Sequence, residues 1–278
     1  MRTREGVCRV KDDPIILVHG LFGFGELAVG GTTLVAYFRG IREHLLATGF
    51  NVPPPPQLST AGTIAERADG LKRYLENSTE VGGKPVHLIA HSMGGLDSRY
   101  LIRKLRMADR VLSLTTIGTP HHGSPIADFL KAGTSPSLQA LAARFGLGGI
   151  DNLTTDFCRD FNRDCPDEPK TSHLKYYSIA GRYEPRRLLG LPTGLLGPTH
   201  DLVQKVEGDN DGMVSVSSAR YGSDLDRWEP LGPIWEESHF RLVNWDDDVA
   251  AALGNLRDRS IPARYQAIAE HVTSVPRR

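Results

Sequence analysis

The segment Val86–Gly95, which reads VHLIAHSMGG, restricts the fold of this 278-residue chain more than any other part of the sequence. It opens with a short apolar run, which predicts a strand buried on both faces. Ser92 follows the run, with the small residues Ala90 and Gly94 two positions before and after it. A serine held in a strained turn between a strand and a helix needs small neighbours at those two positions. The segment therefore predicts a strand, a sharp turn that presents Ser92, and a helix.

Short apolar runs alternate with helical patterns along most of the chain. Strands are predicted over residues 15–18, 86–90, 111–117 and 176–180, and helices over 34–46, 64–75 and about 95–105. Such alternation is typical of parallel strands joined by right-handed crossovers. We expect an α/β fold with a mostly parallel central sheet and helices on both faces. Many glycines and prolines interrupt the alternation at about 121–200, so we expect one domain over 1–278 with a lid or cap insertion there.

Composition and charge exclude several classes of protein. Lys+Arg and Asp+Glu both number 33, so the zero net charge gives no reason to expect nucleic acid as a partner. Hydrophobic residues make up 40% and charged residues 24%, values typical of a globular protein. Residues 1–13 lack the apolar core of a signal peptide, and residues 14–38 carry too many glycines and polar groups for a membrane span. We expect a cytoplasmic chain without a transmembrane segment.

The cysteines and glycines give no sign of a metal or cofactor. Cys8, Cys158 and Cys165 are too few for a disulfide scaffold and lack zinc-ligand spacing. We expect free thiols, with a Cys158–Cys165 bridge as the alternative. The glycine-rich loop at 19–23 has neither the Lys-Ser/Thr of a phosphate loop nor the spacing of a dinucleotide site. No cofactor and no metal are expected.

Ser92 needs a histidine base and an acid to orient that base, because a serine hydroxyl alone is a weak nucleophile. In α/β hydrolases the acid and then the histidine follow the serine along the chain. Of the ten histidines, His200 and His239 remain as candidates. Asp211 lies in an Asp-Gly turn before His239, a natural place for an acid. We select Asp211 and His239, and Asp209 is the rival acid.

The tetrahedral intermediate of such a reaction needs hydrogen-bond donors for its oxyanion. One is expected to be the backbone N–H of Met93, directly after the nucleophile. The other is expected to be that of Leu21, in the loop after the first strand. The alternative for that loop is a glycine-rich turn without a catalytic role.

Four segments carry a family resemblance: PIILVHGLFG at 14–23, AHSMGGLDSRY at 90–100, IGTPHHG at 117–123 and NDGMV at 210–214. Together they resemble the true bacterial lipases of the Pseudomonas, Burkholderia and Proteus type. AHSMGGLDSRY and the LVNW after His239 are also similar to fungal mitochondrial triacylglycerol lipases. The resemblance implies an α/β-hydrolase fold, the same serine, aspartate and histidine as triad, and a helical lid. It also implies an oxyanion hole at Leu21 and Met93, braced by Arg67.

The sequence departs from that family at its calcium site. The three places that hold side-chain ligands in the family are Gly197, Arg241 and Trp245 here. A guanidinium would repel a cation, so no calcium is expected. Our hypothesis is that Arg241 supplies the positive charge that holds the loop of His239. The alternative is an exposed arginine at the start of a helix.

Two apolar stretches are candidates for the walls of an acyl-binding cleft. One lies within 124–150 and carries Leu138, Leu141, Phe145, Leu147 and Ile150. It is predicted to form a lid that opens at a lipid surface, although a core helix has the same periodicity. The other, Leu188–Leu196, is a candidate for the opposite wall.

These features predict a carboxylic-ester hydrolase that forms an acyl-enzyme, above all a triacylglycerol lipase. Its partner is expected to be a lipid or ester substrate at an oil–water interface. The alternatives are a short-chain carboxylesterase, a thioesterase or an acyltransferase with the same triad, or a binding protein with an inactive hydrolase fold.

Overall fold

The computed structural model describes residues 13–21, 28–29, 32–33, 37–133, 149–169, 173–221, 227–245 and 260–275. Its strands are β1 (Ile15–Val18), β2 (Ala28–Val29), β3 (Thr32–Thr33), β4 (Val86–His91), β5 (Val111–Ile117), β6 (Lys175–Ile179), β7 (Gly181–Arg182), β8 (Arg187–Leu188), β9 (Leu191–Pro192), β10 (Trp228–Pro230) and β11 (Trp235–Glu236). Its helices are α1 (Ile41–Ala47), α2 (Ile64–Asn77), α3 (Met93–Arg103), α4 (Pro125–Ala132), α5 (Thr155–Asp164), α6 (Gly197–Glu207), α7 (Val216–Arg220) and α8 (Ser260–Ser274).

The central sheet has five strands in the order β1-β4-β5-β6-β10. Every neighbouring pair in it is parallel. Parallel neighbours require crossovers, and helices supply them between the strands. The carboxyl ends of β1, β4 and β5 meet at one edge, where Ser92 and the loops after β1 and β5 lie. The predicted α/β-hydrolase fold, with its parallel central sheet, is confirmed.

Helices cover the sheet on both faces, because its strands are apolar on both sides. Ile15 and Leu17 of β1 pack in a cluster with residues of α1 and α8. Ile16 and Val18 point the other way and pack with residues of α2 and α3. Strands buried on both faces read as continuous apolar runs, and for this reason the sequence located β1, β4 and β5 closely.

Two predicted helices begin at different residues in the structure. The helix expected at about 95–105 begins at Met93, immediately after Ser92. The helix expected over 34–46 is shorter, because residues 37–40 do not form helix and α1 begins at Ile41. Gly40 precedes it with φ 69°, a left-handed conformation that a right-handed helix cannot include. Residues 34–36 lie outside the described residues.

The two described cysteines are free thiols, which contradicts the alternative of a bridge. Burial raises the pKa of Cys158 to about 12 and that of Cys165 to about 11. Thiols with such pKa values carry almost no thiolate at neutral pH and are inert. Within the described ranges, no helix is both long and apolar enough to cross a bilayer.

The predicted lid falls mostly outside the described residues. Leu138, Leu141, Phe145 and Leu147 all belong to 134–148, so the lid stays a prediction. Ile150 is described and lies in a short 3₁₀ turn, Ile150–Leu153. The second apolar stretch begins with a two-stranded hairpin, β8–β9.

Candidate active site

Ser92 lies in the sharp turn between β4 and α3. Its backbone has φ 55° and ψ −134°, a conformation that side chains other than glycine rarely adopt. A Cβ at Gly94 would come within 2.7 Å of the Val18 carbonyl oxygen and 2.8 Å of the His19 carbonyl oxygen. Only glycine allows helix α3 to pack this closely against the end of β1. The strained turn therefore depends on the glycine that the sequence places two residues after Ser92.

The structure brings Ser92, Asp211 and His239 together in one chain of hydrogen bonds. Nε2 of His239 lies 3.1 Å from Oγ of Ser92, and its Nδ1 lies 2.7 Å from Oδ2 of Asp211. All three side chains are buried. This arrangement can take a proton from the serine hydroxyl and stabilise the imidazolium that results.

The Asp211 carboxylate is fixed by its own turn. Its Oδ1 accepts hydrogen bonds from the backbone N–H groups of Met213 at 2.9 Å and Val214 at 2.8 Å. The backbone N–H of His239 also donates to the Asp211 carbonyl oxygen at 2.7 Å. Oδ2 is therefore the oxygen that faces the imidazole. The backbone hydrogen bond fixes the position of His239 relative to Asp211.

The rival residues are not part of this site. Asp209 is exposed and forms an ion pair with Arg182 at 2.9 Å. His200 lies on α6 with its Nδ1 3.2 Å from Oδ1 of its neighbour Asp201. Neither side chain contacts Ser92, so the choice of Asp211 and His239 over them agrees with the geometry.

Leu21 and Met93 both lie close to Ser92. A Cβ at Gly20 would be 2.7 Å from Cβ of Ser92, so the loop after β1 passes directly against the serine. Leu21 follows in that loop and packs in the same apolar cluster as Met93, the first residue of α3. Both residues are therefore close to the nucleophile, and Met93 is at a helix N-terminus, a favourable place for an oxyanion. The oxyanion hole itself stays a prediction.

Arg67 is hydrogen-bonded to this loop. Its side chain is fully buried, donates to the His19 carbonyl oxygen at 2.6 Å, and also donates to the Ser59 carbonyl oxygen. Its Nε donates to Oδ2 of Asp97 on α3 at 2.8 Å. Burial raises the pKa of Asp97, and the Arg67 guanidinium lowers it in part. The ion pair ties the loop after β1 to the helix that follows Ser92.

We expect Arg67→Met to lower the free energy of unfolding by about 3–5 kcal/mol, because it leaves the Asp97 carboxyl buried without its partner. The double variant Arg67→Met/Asp97→Val removes both charges and is expected to regain most of that stability. It still lacks the donor to the His19 carbonyl, so kcat on a soluble ester should remain about 10- to 100-fold low. Urea unfolding and steady-state kinetics measure the two effects separately. Full kcat in a stable double variant would contradict the bracing role.

Tyr37 and His91 form a second support that the sequence did not indicate. Oη of Tyr37 accepts from the Gly20 N–H at 3.0 Å and lies 2.7 Å from Nδ1 of His91, to which it donates. Burial, and then the nearby His239, hold the pKa of His91 well below its usual range, so its ring is neutral. The His91 and His239 rings lie 4.5 Å apart, centroid to centroid. These partners are far apart in sequence, and no motif links them.

Ser92 and His239 line a small cleft whose other lining residues are mostly apolar. Besides Ser124, the other lining side chains are apolar: Leu21, Pro120, Ile126, Ala127, Ile150, Leu153, Met213 and Val214. A larger cavity of about 760 Å³ lies at the C-terminal end of α3, where charged groups such as Arg103 and Glu168 line it. The cleft encloses only about 20 Å³, so its apolar lining, and not its volume, is what matches a hydrocarbon group, whereas the lining of the larger cavity is charged.

The residues at the expected calcium positions do not fit a calcium ion. Gly197 offers no side chain, and Nε1 of Trp245 donates to the Tyr37 carbonyl oxygen at 2.9 Å. Nε of Arg241 lies 3.5 Å from Oε2 of Glu237, the acidic partner that the sequence did not identify. Among the described residues, no three His, Cys, Asp or Glu side chains cluster as metal ligands. The Arg241–Glu237 pair spans the turn that carries His239.

We expect full activity in the presence of a chelator. The Arg241 guanidinium offers a calcium ion no oxygen ligand, and the Arg241–Glu237 ion pair already spans the turn that carries His239. The measurement is the initial rate on a soluble ester with EDTA, compared with the rate in calcium chloride. As a companion, Arg241→Gln should lower the melting temperature in both buffers equally. Loss of activity in EDTA that calcium restores would contradict this assignment.

Comparisons with known proteins agree with the geometry. A triacylglycerol lipase from Pseudomonas fragi is 30% identical over 266 residues, which cover 81% of this chain and 88% of that protein. Triacylglycerol lipase 2 of Saccharomyces cerevisiae is 32% identical over 220 residues, 76% of this chain. The match spans 63% of the yeast protein's length. Residues 64–146, which include Ser92, match the family model described as lecithin:cholesterol acyltransferase.

A solved structure gives the same fold. The mature form of the Bacillus licheniformis lipase BlEst2 superposes with a TM-score of 0.66 at 24% identity, covering 83% of this chain and 86% of that one. At this level of identity, the superposition supports the fold and leaves the chemistry to the residues described above.

Proposed function

Because this chain belongs to the family of triacylglycerol lipases and is a carboxylic-ester hydrolase, we propose that it cleaves long-chain acylglycerols through Ser92, His239 and Asp211. The observation that carries the proposal is the hydrogen-bonded chain of these three side chains at the end of an apolar cleft. We propose that a lid or cap drawn from residues within about 121–200 covers the cleft within a single domain; β6, which falls in this range, belongs to the central sheet instead.

In the acylation step, Oγ of Ser92 attacks the ester carbonyl carbon while Nε2 of His239 takes the hydroxyl proton. The backbone N–H groups of Leu21 and Met93 stabilise the oxyanion of the tetrahedral intermediate. Asp211 holds the proton on Nδ1 and stabilises the imidazolium. When the intermediate collapses, His239 gives its proton to the departing alcohol oxygen, and the acyl group stays on Ser92.

Deacylation uses the same residues with water in place of the alcohol. His239 removes a proton from the water as its oxygen attacks the acyl carbonyl carbon. The second intermediate collapses when His239 returns that proton to Oγ of Ser92, and the carboxylic acid leaves. The buried, neutral His91 beside His239 adds no charge of its own, so the imidazolium stays localised on His239.

The substrate class is tested by a chain-length profile. Initial rates on p-nitrophenyl esters from acetate to palmitate, and on emulsified triolein, are expected to favour long chains and the emulsion, because the cleft lining around Ser92 and His239 is mostly apolar. A maximum on short soluble esters with no turnover of the emulsion would identify a short-chain carboxylesterase. In that case the segment 124–150 would have a structural role and would not act as a lid.

Acyl transfer to an alcohol is the second candidate, since the acyltransferase family model matches the part of the chain that contains Arg67, Ser92 and Asp97. Both reactions pass through the same acyl-enzyme and differ only in whether water or an alcohol attacks it. Mass spectrometry of the products, with a sterol or a long-chain alcohol added to the assay, separates free fatty acid from the new ester. Fatty acid as the main product supports hydrolysis.

A further inference from the structure

An exposed apolar tip lies on the hairpin β8–β9. The strands pair Arg187 with Pro192 and Leu188 with Leu191, so that Leu189 and Gly190 form the turn. The exposed fractions are 68% for Leu188, 96% for Leu189 and 71% for Leu191. The sequence placed this stretch in a wall of the cleft, but none of these leucines lines it. Their side chains point into solvent instead.

The turn itself does not explain the leucine at its centre. Leu189 has φ 52° and Gly190 has φ 82°, so both central residues are left-handed, as in a type I′ turn. Such turns favour Asn-Gly, and a leucine in this region is strained. None of the described contacts shows that this strained and almost fully exposed leucine stabilises the fold. Strain of this kind points to a function for the side chain.

The base of the hairpin is firmly held. Arg187 binds the Asp201 carboxylate on α6 through two hydrogen bonds, at 2.6 and 3.0 Å. The backbone N–H of Thr193 donates to the Arg186 carbonyl oxygen at 2.7 Å. The leucines therefore stand on a fixed support.

That support adjoins the active site. A Cβ at Gly197, the first residue of α6, would lie 2.9 Å from Cβ of Pro192 in β9. A Cβ at Gly212 would lie 2.9 Å from Cβ of Leu196, which is buried directly before α6. Gly212 is the neighbour of Asp211, and Met213 and Val214 line the cleft. The hairpin thus packs against the start of α6, and the residue before α6 contacts the turn that forms one side of the cleft.

We propose that Leu188, Leu189 and Leu191 insert into the lipid phase that presents the ester, and so hold the cleft entrance against its surface. This inference rests on the proposed function, because it identifies the lipid surface as the partner of the same site. The tip is purely aliphatic, and the exposed Arg186 stands at its base, where its guanidinium group can meet ester or phosphate head groups. Arg187 is already paired with Asp201 and serves to hold the hairpin.

A protein partner fits the tip less well than a lipid surface. Three leucines cover only part of the about 800 Å² per partner that a stable protein interface buries. Binding hot spots between proteins are rich in Trp, Tyr and Arg and poor in leucine. A lipid phase accepts a small aliphatic wedge without a complementary surface.

The test substitutes Leu189→Asn in a chain that also carries Ser92→Ala, so that the lipid is not consumed. Asparagine restores the favoured Asn-Gly turn, and we expect an unchanged or higher melting temperature. Flotation with triolein emulsified by phosphatidylcholine should show partitioning weakened by about tenfold for this variant. Leu46→Gln, which changes another exposed leucine on α1, is the matched control and should partition like its parent.

The same two substitutions in the Ser92 chain measure the effect on turnover. Leu189→Asn should lower the rate on the emulsion and leave the rate on soluble p-nitrophenyl butyrate unchanged. Equal partitioning of Leu189→Asn and its parent overturns the proposal, as does an equal loss with Leu46→Gln. A dimer in gel filtration that only Leu189→Asn disrupts assigns the tip to a second copy and also overturns it. Since partitioning needs no catalysis, a wild-type chain that cleaves no ester refutes the proposed function separately.

Discussion

Ser92→Ala is expected to lower kcat on a soluble ester by about 10⁵- to 10⁶-fold, while the protein remains folded. Alanine keeps the small side chain that the strained turn tolerates but removes the oxygen that forms the acyl-enzyme in the proposed mechanism. The residual rate reflects the oxyanion donors and the apolar cleft, which the substitution leaves in place. Steady-state kinetics with p-nitrophenyl butyrate and thermal unfolding provide the measurement.

Ser98→Ala is the matched control for this experiment. Ser98 is also buried in α3, but its hydroxyl donates to the Gly94 carbonyl oxygen at 2.7 Å within the helix. Its loss should leave kcat almost unchanged. A phosphonate ester should label the wild type and the Ser98 variant once, and the Ser92 variant not at all. Turnover by Ser92→Ala within tenfold of the wild type would show that another nucleophile is at work.

The sequence predicted those parts of the fold that local patterns encode. β1, β4 and β5 are continuous apolar runs, and the small residues around Ser92 specify the turn. β10 was not predicted, because Trp228–Pro230 is only three residues long and includes a proline. Strand pairing with β6, and not its own pattern, makes this segment the edge of the sheet.

The supporting contacts of the site were harder to predict than the triad. The Tyr37–His91 hydrogen bond joins residues 54 positions apart, and the Arg67–Asp97 pair joins residues 30 positions apart. Neither pair has a spacing that a helix or strand imposes, so only the folded chain brings them together. Arg67 was expected from a family resemblance alone. Asp97 could have been noticed as a carboxylate within the apolar helix after Ser92.

Local sequence does not distinguish Asp211 from Asp209 as the acid, because both carboxylates lie in one turn. The folded structure shows that Asp211 is the one that contacts His239. Asp211→Asn is expected to lower kcat by about 10⁴-fold. The backbone N–H groups of Met213 and Val214 bind Oδ1, so they will hold the asparagine oxygen and turn its amide group toward His239. An N–H donor at that place forces the neutral imidazole to accept at Nδ1 and to carry its proton on Nε2.

A histidine protonated on Nε2 cannot take the proton of Ser92, so Asp211→Asn should lower kcat and leave KM nearly unchanged. Asp209→Asn makes the same chemical change on the exposed partner of Arg182 and should alter kcat by less than about twofold, as surface ion pairs contribute little. Kinetics of both variants on one soluble ester decide between the two carboxylates. If Asp209→Asn lost as much activity as Asp211→Asn, the hydrogen bond from His239 to Asp211 would not be the one that orients the base.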